Sequence, residues 1–196
     1  VIKISPKKLS TLPNLGEKDI LRSFQLMPGI SAANENSSGL YVRGGTPDQV
    51  LVLYDGFTVY NVEHMFGFFS AFNSNAIKDV RLYKGGFNAK YGGRLSSVLE
   101  ITGKEGNQKE FNAAGDISLM SVNGFVEFPL GSKTSVIIAG RKSWKSPVYN
   151  KIFDQFTSEN EPSLSGGMGR PGGGFMDTDQ ETNSYFYDIN GKITFR

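Results

Sequence analysis

A two-residue alternation of apolar and polar side chains dominates the chain from Lys109 onward. The alternation is cleanest near the end, where the apolar series Tyr185, Tyr187, Ile189, Gly191, Ile193, Phe195 interleaves with Phe186, Asp188, Asn190, Lys192, Thr194, Arg196. Successive side chains of a β-strand point to opposite faces of a sheet, so this spacing predicts a strand with one apolar and one polar face. Only Phe186 breaks the pattern. An apolar outer face and a polar inner face are typical of a transmembrane β-barrel strand.

The same period predicts three earlier strands. The first has Ala113, Gly115, Ile117 and Leu119 on its apolar face, the second has Val122, Val126, Phe128 and Leu130, and the third runs from Ser135 to Trp144. A tight turn at 131–133 joins the second and third strands, whereas a polar, glycine-rich stretch of about 145–184 joins the third and fourth. Short turns at one end and long loops at the other indicate an outer-membrane barrel.

The first half of the chain has short apolar runs separated by glycine turns. We predict a helix from Asn14 to Met27, with Asn14 and Glu17 at capping-box spacing and Asp19 in the first turn. A second short helix is predicted at 75–79, and strands are predicted at 40–43, 50–54, 58–60, 80–84 and 97–102. These elements indicate a small α+β domain with a mixed sheet. A polar hinge at 103–108 predicts its end, giving domains at 1–105 and 106–196.

The charges of the chain exclude one class of partner. The sequence has 21 Lys and Arg against 19 Asp and Glu, for a net charge of +2, and these residues are dispersed. Nucleic-acid binding requires a basic patch or stripe, so we expect no nucleic-acid partner. The chain has no cysteine, which excludes disulfides and thiolate metal sites.

His64 is the only histidine, which limits both catalysis and metal binding. A Ser-His-Asp triad would need His64, and no serine stands in a nucleophile-elbow motif, so we predict no catalytic residues and no enzyme. Asp177, Asp179 and Glu181 alternate as calcium ligands can, but their segment lacks the glycine and the distal glutamate of an EF-hand loop. We therefore predict no metal site.

Three glycines, Gly167, Gly169 and Gly172, have the spacing of a dinucleotide-binding fingerprint. That motif requires a preceding strand and a following helix on which the pyrophosphate rests. Neither is predicted here, and Pro171 lies inside the motif. We therefore predict no cofactor.

Seven short motifs, in order along the chain, give it a likeness to one family. They are Asp19-Ile-Leu with Leu26-Met-Pro-Gly-Ile30, Leu40-Tyr-Val-Arg-Gly-Gly45, Pro47-Asp-Gln49, Tyr54-Asp-Gly-Phe57, Val59-Tyr-Asn61, Leu82-Tyr-Lys-Gly-Gly-Phe87 and Tyr91-Gly-Gly-Arg94. With these motifs the sequence resembles TonB-dependent receptors of the outer membrane. The stretch Phe66-Gly-Phe-Phe-Ser70 resembles receptors of Bacteroidota more than enterobacterial siderophore receptors.

The resemblance implies a plug domain followed by the first strands of a barrel. A barrel of about 22 strands needs more residues than the whole chain has, so we expect this chain to be part of a longer protein. The family likeness also implies import of a scarce nutrient across the bacterial outer membrane, with the plug accessible from the periplasm. Its implied partners are TonB, through a segment upstream of Val1, the nutrient ligand, outer-membrane lipid and a surface lipoprotein.

The resemblance also suggests roles for individual residues. Arg43 and Arg94 are candidates for a latch between plug and barrel, because such arginines face acidic residues of the barrel wall in the family. His64 and the aromatic residues Phe66, Phe68 and Phe69 are candidates for a ligand-facing surface, with core packing as the alternative. The turn positions of the plug motifs are Gly44, Gly45, Asp55, Gly56, Gly85, Gly86, Gly92 and Gly93.

One alternative class stays open at this point. Residues 109–196 have the alternation that half of a soluble β-sandwich would also show. In that case the chain would be a soluble or surface-exposed module that binds a ligand or glycan and has no transport role. Many more alternating strands with long one-sided loops after Arg196 would support a barrel, whereas a linker or a stop codon there would support the module.

Overall fold

The computed structural model describes residues 1–5, 18–32, 39–64, 67, 69–144 and 185–196. Its one described α-helix, α1, is Ile20–Gln25, and short 3-10 turns cover Pro47–Gln49 and Ser74–Ala76. The strands are β1 Ile2–Ile4, β2 Ile30–Ser31, β3 Tyr41–Val42, β4 Val50–Tyr54, β5 Phe57–Thr58, β6 Glu63–His64, β7 Phe69–Ser70, β8 Ile77–Tyr83, β9 Ser97–Gly103, β10 Asn112–Ile117, β11 Ser121–Pro129, β12 Thr134–Ser143 and β13 Tyr187–Phe195.

The first half of the chain forms a mixed five-stranded sheet in the order β1-β8-β9-β4-β5. Strands β4 and β9 pair in parallel, and the other neighbours are antiparallel. Strands β2 and β3 form a separate two-stranded sheet, and so do β6 and β7. The main core lies on one face of the sheet, where Ile20, Leu21 and Phe24 of α1 pack with the buried side chains of β4, β8 and β9. We call the described residues from 1 to 105 the N-terminal unit.

Helix α1 begins later than the sequence pattern predicted. Asp19 has an extended backbone and caps the helix, because its Oδ1 accepts hydrogen bonds from the amides of Leu21 (2.8 Å) and Arg22 (3.1 Å). The other carboxylate oxygen accepts the amide of Ser70 at 2.8 Å, which ties the helix start to β7. Placing Asp19 in the first turn was therefore wrong, whereas Asn14 and Glu17 lie outside the described residues.

Several other bounds also differ from the prediction. The predicted helix at 75–79 is wrong, because only the 3-10 turn Ser74–Ala76 forms and β8 already begins at Ile77. The side chain of Ile77 is fully buried in the main core, so residues 77–79 belong to strand β8 of the sheet. Strand β4 has the predicted bounds, whereas β3 and β5 are two-residue strands, shorter than predicted.

The second half forms an antiparallel sheet in the order β10-β11-β12-β13, which we call the four-stranded sheet. Its register places Gly115, Gly124, Gly140 and Ile189 in one row across the strands. The alternation predicted for the last strand is present, and its faces can be assigned. Ile189 and Phe195 on the apolar face are 77% and 76% exposed, whereas the polar series is half-buried against the N-terminal unit.

The exposed apolar face distinguishes the two classes left open by the sequence. A half-sandwich in water would bury its apolar face and expose its polar face. The four-stranded sheet does the opposite within the described residues, as a wall with lipid outside and polar groups inside would. No described helix has the length and apolar composition needed to cross a membrane.

Candidate functional site

The polar face of the four-stranded sheet packs against the N-terminal unit, and this contact is the candidate site. Directly opposed residues in an antiparallel ladder share a face, so a row of residues across the strands lies together on the inner or the outer face. One such row is Asp116, Asn123, Arg141 and Asp188. Hydrogen bonds from three regions of the N-terminal unit end on these and neighbouring rows.

The most buried contact centres on Arg141 of β12, whose side chain is only 2% exposed. Its Nε donates to Asp188 Oδ2 at 2.8 Å, and one terminal nitrogen donates both to that oxygen and, at 2.8 Å, to the backbone carbonyl of Ser70. The other carboxylate oxygen of Asp188 lies 2.7 Å from Nε2 of His64. Asp188 therefore bridges a cation of the sheet and a histidine of the N-terminal unit.

Phe186 completes this contact and explains the break in the alternation. The ring of Phe186 stacks on His64 with centroids 4.8 Å apart and lies at the same distance from Phe69. The guanidinium of Arg141 sits over the ring, also at 4.8 Å. Phe186 is 7% exposed, so an apolar residue occupies an inward position because it packs against the N-terminal unit. We call Arg141, Asp188, His64, Phe186 and Phe69 the Arg141 cluster.

A second contact lies further along β13. The ammonium of Lys192 donates to Asp55 Oδ2 at 2.9 Å and to the carbonyl of Gly103 at 3.2 Å. Asp55 has φ 47° and Gly56 has φ 90°, so the turn between β4 and β5 holds the carboxylate in place. Its Oδ1 accepts the amide of Gly103 at 3.0 Å, which fixes it further. Asp55 therefore serves as a turn residue and as an ion-pair partner.

The third contact lies where the N-terminal unit leads into the sheet. Glu105 pairs with Arg196 at the end of β13 and with Lys78 at 3.1 Å. These two partners, Lys78 first, lower the pKa of the Glu105 carboxyl below its ordinary value. The hydroxyl of Ser135 on β12 donates to the backbone carbonyl of Glu105 at 2.6 Å.

A contact without a cation joins β10 to the N-terminal unit. Asn75 donates through Nδ2 to Asp116 Oδ1 at 3.1 Å, and Asn123 donates to the other oxygen of Asp116 at 3.2 Å. Asp116 thus has amide partners instead of a cation. The four contacts together place polar groups of β10, β12 and β13 on the N-terminal unit.

The latch candidates predicted from the sequence lie elsewhere. Arg43 has φ 51° in the turn from Val42 to Gly45, is exposed, and places its guanidinium over Gly85. Arg94 is half-buried. Neither forms an ion pair with a carboxylate among the residues the structure describes. Their latch role stays a prediction.

The other predicted positions are distributed as follows. His64 and Phe69 lie in the Arg141 cluster, whereas Phe66 and Phe68 lie outside the described residues. The turn glycines with positive φ are Gly44, Gly56, Gly85, Gly86 and Gly93. Gly45 is needed for close approach because a Cβ there would lie 2.4 Å from Ser96 Oγ. The segments with the glycine fingerprint and the acidic residues at 177–181 are also outside the described residues.

Three wall residues of the interface, Asp188, Lys192 and Arg196, were in the predicted polar series, but their roles were not identified. Asp188 and Lys192 lie on β13 and Arg196 follows it directly, so their inward direction followed from the period. Their partners in the N-terminal unit did not follow, because contacts such as Lys192 with Asp55 span 137 positions. The break at Phe186 was the signal that marked the tightest contact.

Comparison with known proteins relates this architecture to a family. Residues 4–98 match the family model of the TonB-dependent Receptor Plug Domain. The chain contains a TonB-dependent receptor plug domain. No curated protein sequence matches the chain.

Two solved structures of receptors are similar to this chain. The siderophore receptor PirA from Pseudomonas aeruginosa is 19% identical, with a TM-score of 0.52 over 72% of this chain and 27% of that chain. A mutant ferric enterobactin receptor PfeA from Pseudomonas aeruginosa, in complex with enterobactin, is 18% identical, with a TM-score of 0.48 over 74% of this chain and 25% of that chain. This chain thus spans about a quarter of the length of these receptors.

The likeness to PirA extends beyond the plug domain, because 72% of the chain is more than residues 4–98. The four-stranded sheet therefore corresponds to antiparallel strands of an incomplete β-barrel. The candidate site is the contact between the plug domain and this wall. Each contact includes hydrogen bonds between the two parts.

Proposed function

We propose that the chain is part of a TonB-dependent importer of the bacterial outer membrane, in which the plug closes the barrel until a ligand is moved. The observation that carries the proposal is the reversed polarity of the four-stranded sheet. Ile189 and Phe195 face outward and are exposed, whereas Asp188 contacts His64 of the plug and Lys192 contacts Asp55 of the plug. A wall with this polarity suits a bilayer outside and a plugged interior.

The contacts between plug and wall suit a gate that opens repeatedly. Two of the four contacts, Lys192 with Asp55 and Arg196 with Glu105, pair opposite charges across the interface, and water can take the place of either partner when the plug moves. The implied energy source is TonB, acting on a segment upstream of Val1. Such a gate needs no catalytic group, and we propose that the chain is not an enzyme.

The ligand class is a scarce nutrient. PirA is a siderophore receptor, which supports an iron chelate as one candidate. Cobalamin, glycans and peptides are the other candidates. An origin in Bacteroidota and a surface lipoprotein partner stay predictions, as does periplasmic access to the plug.

Several finer assignments belong to this proposal. We propose plug and wall limits of 1–105 and 106–196. Arg43 and Arg94 would pair with carboxylates of wall strands beyond β13. The ligand-facing candidates His64 and Phe69 would face a ligand only when the Arg141 cluster opens, because both pack against Phe186.

Uptake measurements test the proposal. The full-length gene, present or deleted, is combined with cells that have or lack TonB, and the four strains are grown on candidate nutrients at limiting concentration. We expect one nutrient to support growth only when both the gene and TonB are present. Equal growth of the four strains on every candidate would refute import, and uptake without TonB would refute the proposed energy source.

A further inference from the structure

A cavity of about 500 Å³ lies between the plug and the wall. Its lining comes from the plug, from Lys104 and from strands β12 and β13: Tyr54, Asp55, Phe57, Ala76, Lys104, Ile137, Asn190, Gly191 and Lys192. Along β13 it is placed between the Arg141 cluster and the strand end at Arg196. Its volume is within the range of small-molecule binding sites.

The cavity contains a cation that has no hydrogen-bonded anionic partner among the described residues. Lys104 is half-buried, and its ammonium lies 4.2 Å from the ring centroid of Phe125. No described carboxylate or carbonyl oxygen accepts a hydrogen bond from it, and Glu127 acts on it only from a distance. Burial lowers the pKa of Lys104, as expected for an ammonium that has lost water without gaining a carboxylate.

Other hydrogen-bond donors line the same cavity. Among its described lining residues the one carboxylate, that of Asp55, already accepts hydrogen bonds. Lys192 has three N–H groups, of which two are taken by Asp55 and the carbonyl of Gly103. The Tyr54 hydroxyl has no acceptor among the described residues. Asp55 is satisfied by Lys192 and by the amide of Gly103. The cavity thus has an excess of donors and of positive charge.

Apolar surface completes the lining. Phe57, Ala76 and Ile137 contribute aromatic and aliphatic surface. An inorganic ion would use the donors and leave this surface unfilled. A ligand that uses both has a carboxylate or similar anionic group on a small apolar or aromatic body.

We propose that this cavity is a binding site for a small organic anion, whose charged group lies between Lys104 and Lys192 and whose apolar body contacts Phe57 and Ile137. Binding would also compete with Asp55 for Lys192 and so weaken one contact between plug and wall. The inference goes beyond the proposed import function, because it requires only that plug and wall pack as described.

Binding of benzoate to the full-length receptor in detergent tests this proposal. Benzoate binding is measured by equilibrium dialysis, and benzamide serves as a neutral ligand of the same shape. We expect benzoate to bind and benzamide to bind at least about tenfold more weakly, since one charge-assisted hydrogen bond is worth about a factor of ten. The import assay is independent, so the two proposals can fail separately.

Variants assign the binding to the cavity. Lys104→Met should weaken benzoate binding about tenfold, whereas Lys109→Met, at an exposed lysine outside the cavity, removes the same charge and should leave it unchanged. Tyr54→Phe keeps the ring and removes one donor, so it tests the site even if Lys104→Met does not fold; about threefold weaker binding is expected. Absent benzoate binding, equal binding of benzamide, or unchanged affinity in the folded cavity variants would overturn the proposal.

Discussion

Replacing Asp188 by Asn breaks an ion pair of a guanidinium that is almost fully buried. Arg141 would keep its hydrogen bond to the Ser70 carbonyl and its contact with Phe186, but it would lose its ion pair with Asp188. Breaking a buried ion pair from one side costs about 3–5 kcal/mol. Because these two contacts stay in place, we expect the lower end, about 3 kcal/mol, to be lost from the free energy that holds the plug on the wall.

Hydrogen exchange of plug amides, measured by mass spectrometry on the full-length receptor, reports this loss. A change of about 3 kcal/mol corresponds to faster exchange by about a hundredfold in peptides that cover β7. Asp116→Asn is the matched control, because it makes the same carboxylate-to-amide change where the partners are the amides of Asn75 and Asn123. We expect the control to lose less than about 1.5 kcal/mol.

The double variant Arg141→Met with Asp188→Asn decides between charge pairing and simple loss of packing. If the broken ion pair causes the loss, the double variant should be less damaged than the sum of the two single variants, by about 1–3 kcal/mol. Additive losses, or an Asp188→Asn variant that exchanges like the Asp116→Asn control, would contradict the reasoning.

Three further predictions concern the same interface. Phe186→Ala should lower the stability of the folded receptor by about 3 kcal/mol, because this ring packs on the plug. Tyr187→Ala should lower it by far less, because Tyr187 faces outward. Equal shifts in the thermal midpoint of unfolding would contradict this. Gly106→Ala should cost about 1–3 kcal/mol in the same assay, because Gly106 has φ 80° and a Cβ there would lie 2.8 Å from a backbone carbonyl of β12; an unchanged midpoint would refute it. The ion pairs of Glu105 contribute less than about 1 kcal/mol to the stability of the packed plug, because the site is exposed. Since these partners lower the pKa of the Glu105 carboxyl, the contribution is complete above the ordinary carboxyl value of 4.5 and is lost as pH falls through the lowered pKa. Glu105→Gln should therefore flatten the pH dependence of plug exchange below that value, and an unaltered profile would count against the pairing.

The strands of the wall were predictable because their period is local. Side-chain direction alternates along any strand, so β13 and its two faces could be read from residues 185–196 alone. The structure then shows which face is exposed, and Phe186 shows that a break in the period can mark a tertiary contact. The two-residue strands of the plug are too short for a period to reveal their bounds.

The start of helix α1 was less predictable, because the same residue type is favoured both at the N-cap and in the first turn of a helix. Asp19 occupies a position where an acidic residue suits either the first turn or the cap. Its second oxygen accepts the amide of Ser70, a contact 51 positions away, and this favours the cap. Likewise, Ile77 joins β8 because the core needs a buried side chain there, which a local pattern does not contain.

The chemistry of the interface suits the proposed gate better than it would suit a permanent seal. The plug could have been fixed by apolar packing alone, as its own core is, and such a contact would expose apolar surface to water when it opened. Instead, Arg141, Lys192 and Arg196 each meet oxygen atoms of the plug or of a side chain that holds it. Separated cations and carboxylates are readily hydrated, so the open state is not heavily penalised. Phe186 is the exception, and its burial beside Arg141 makes that cluster the contact we expect to resist opening longest.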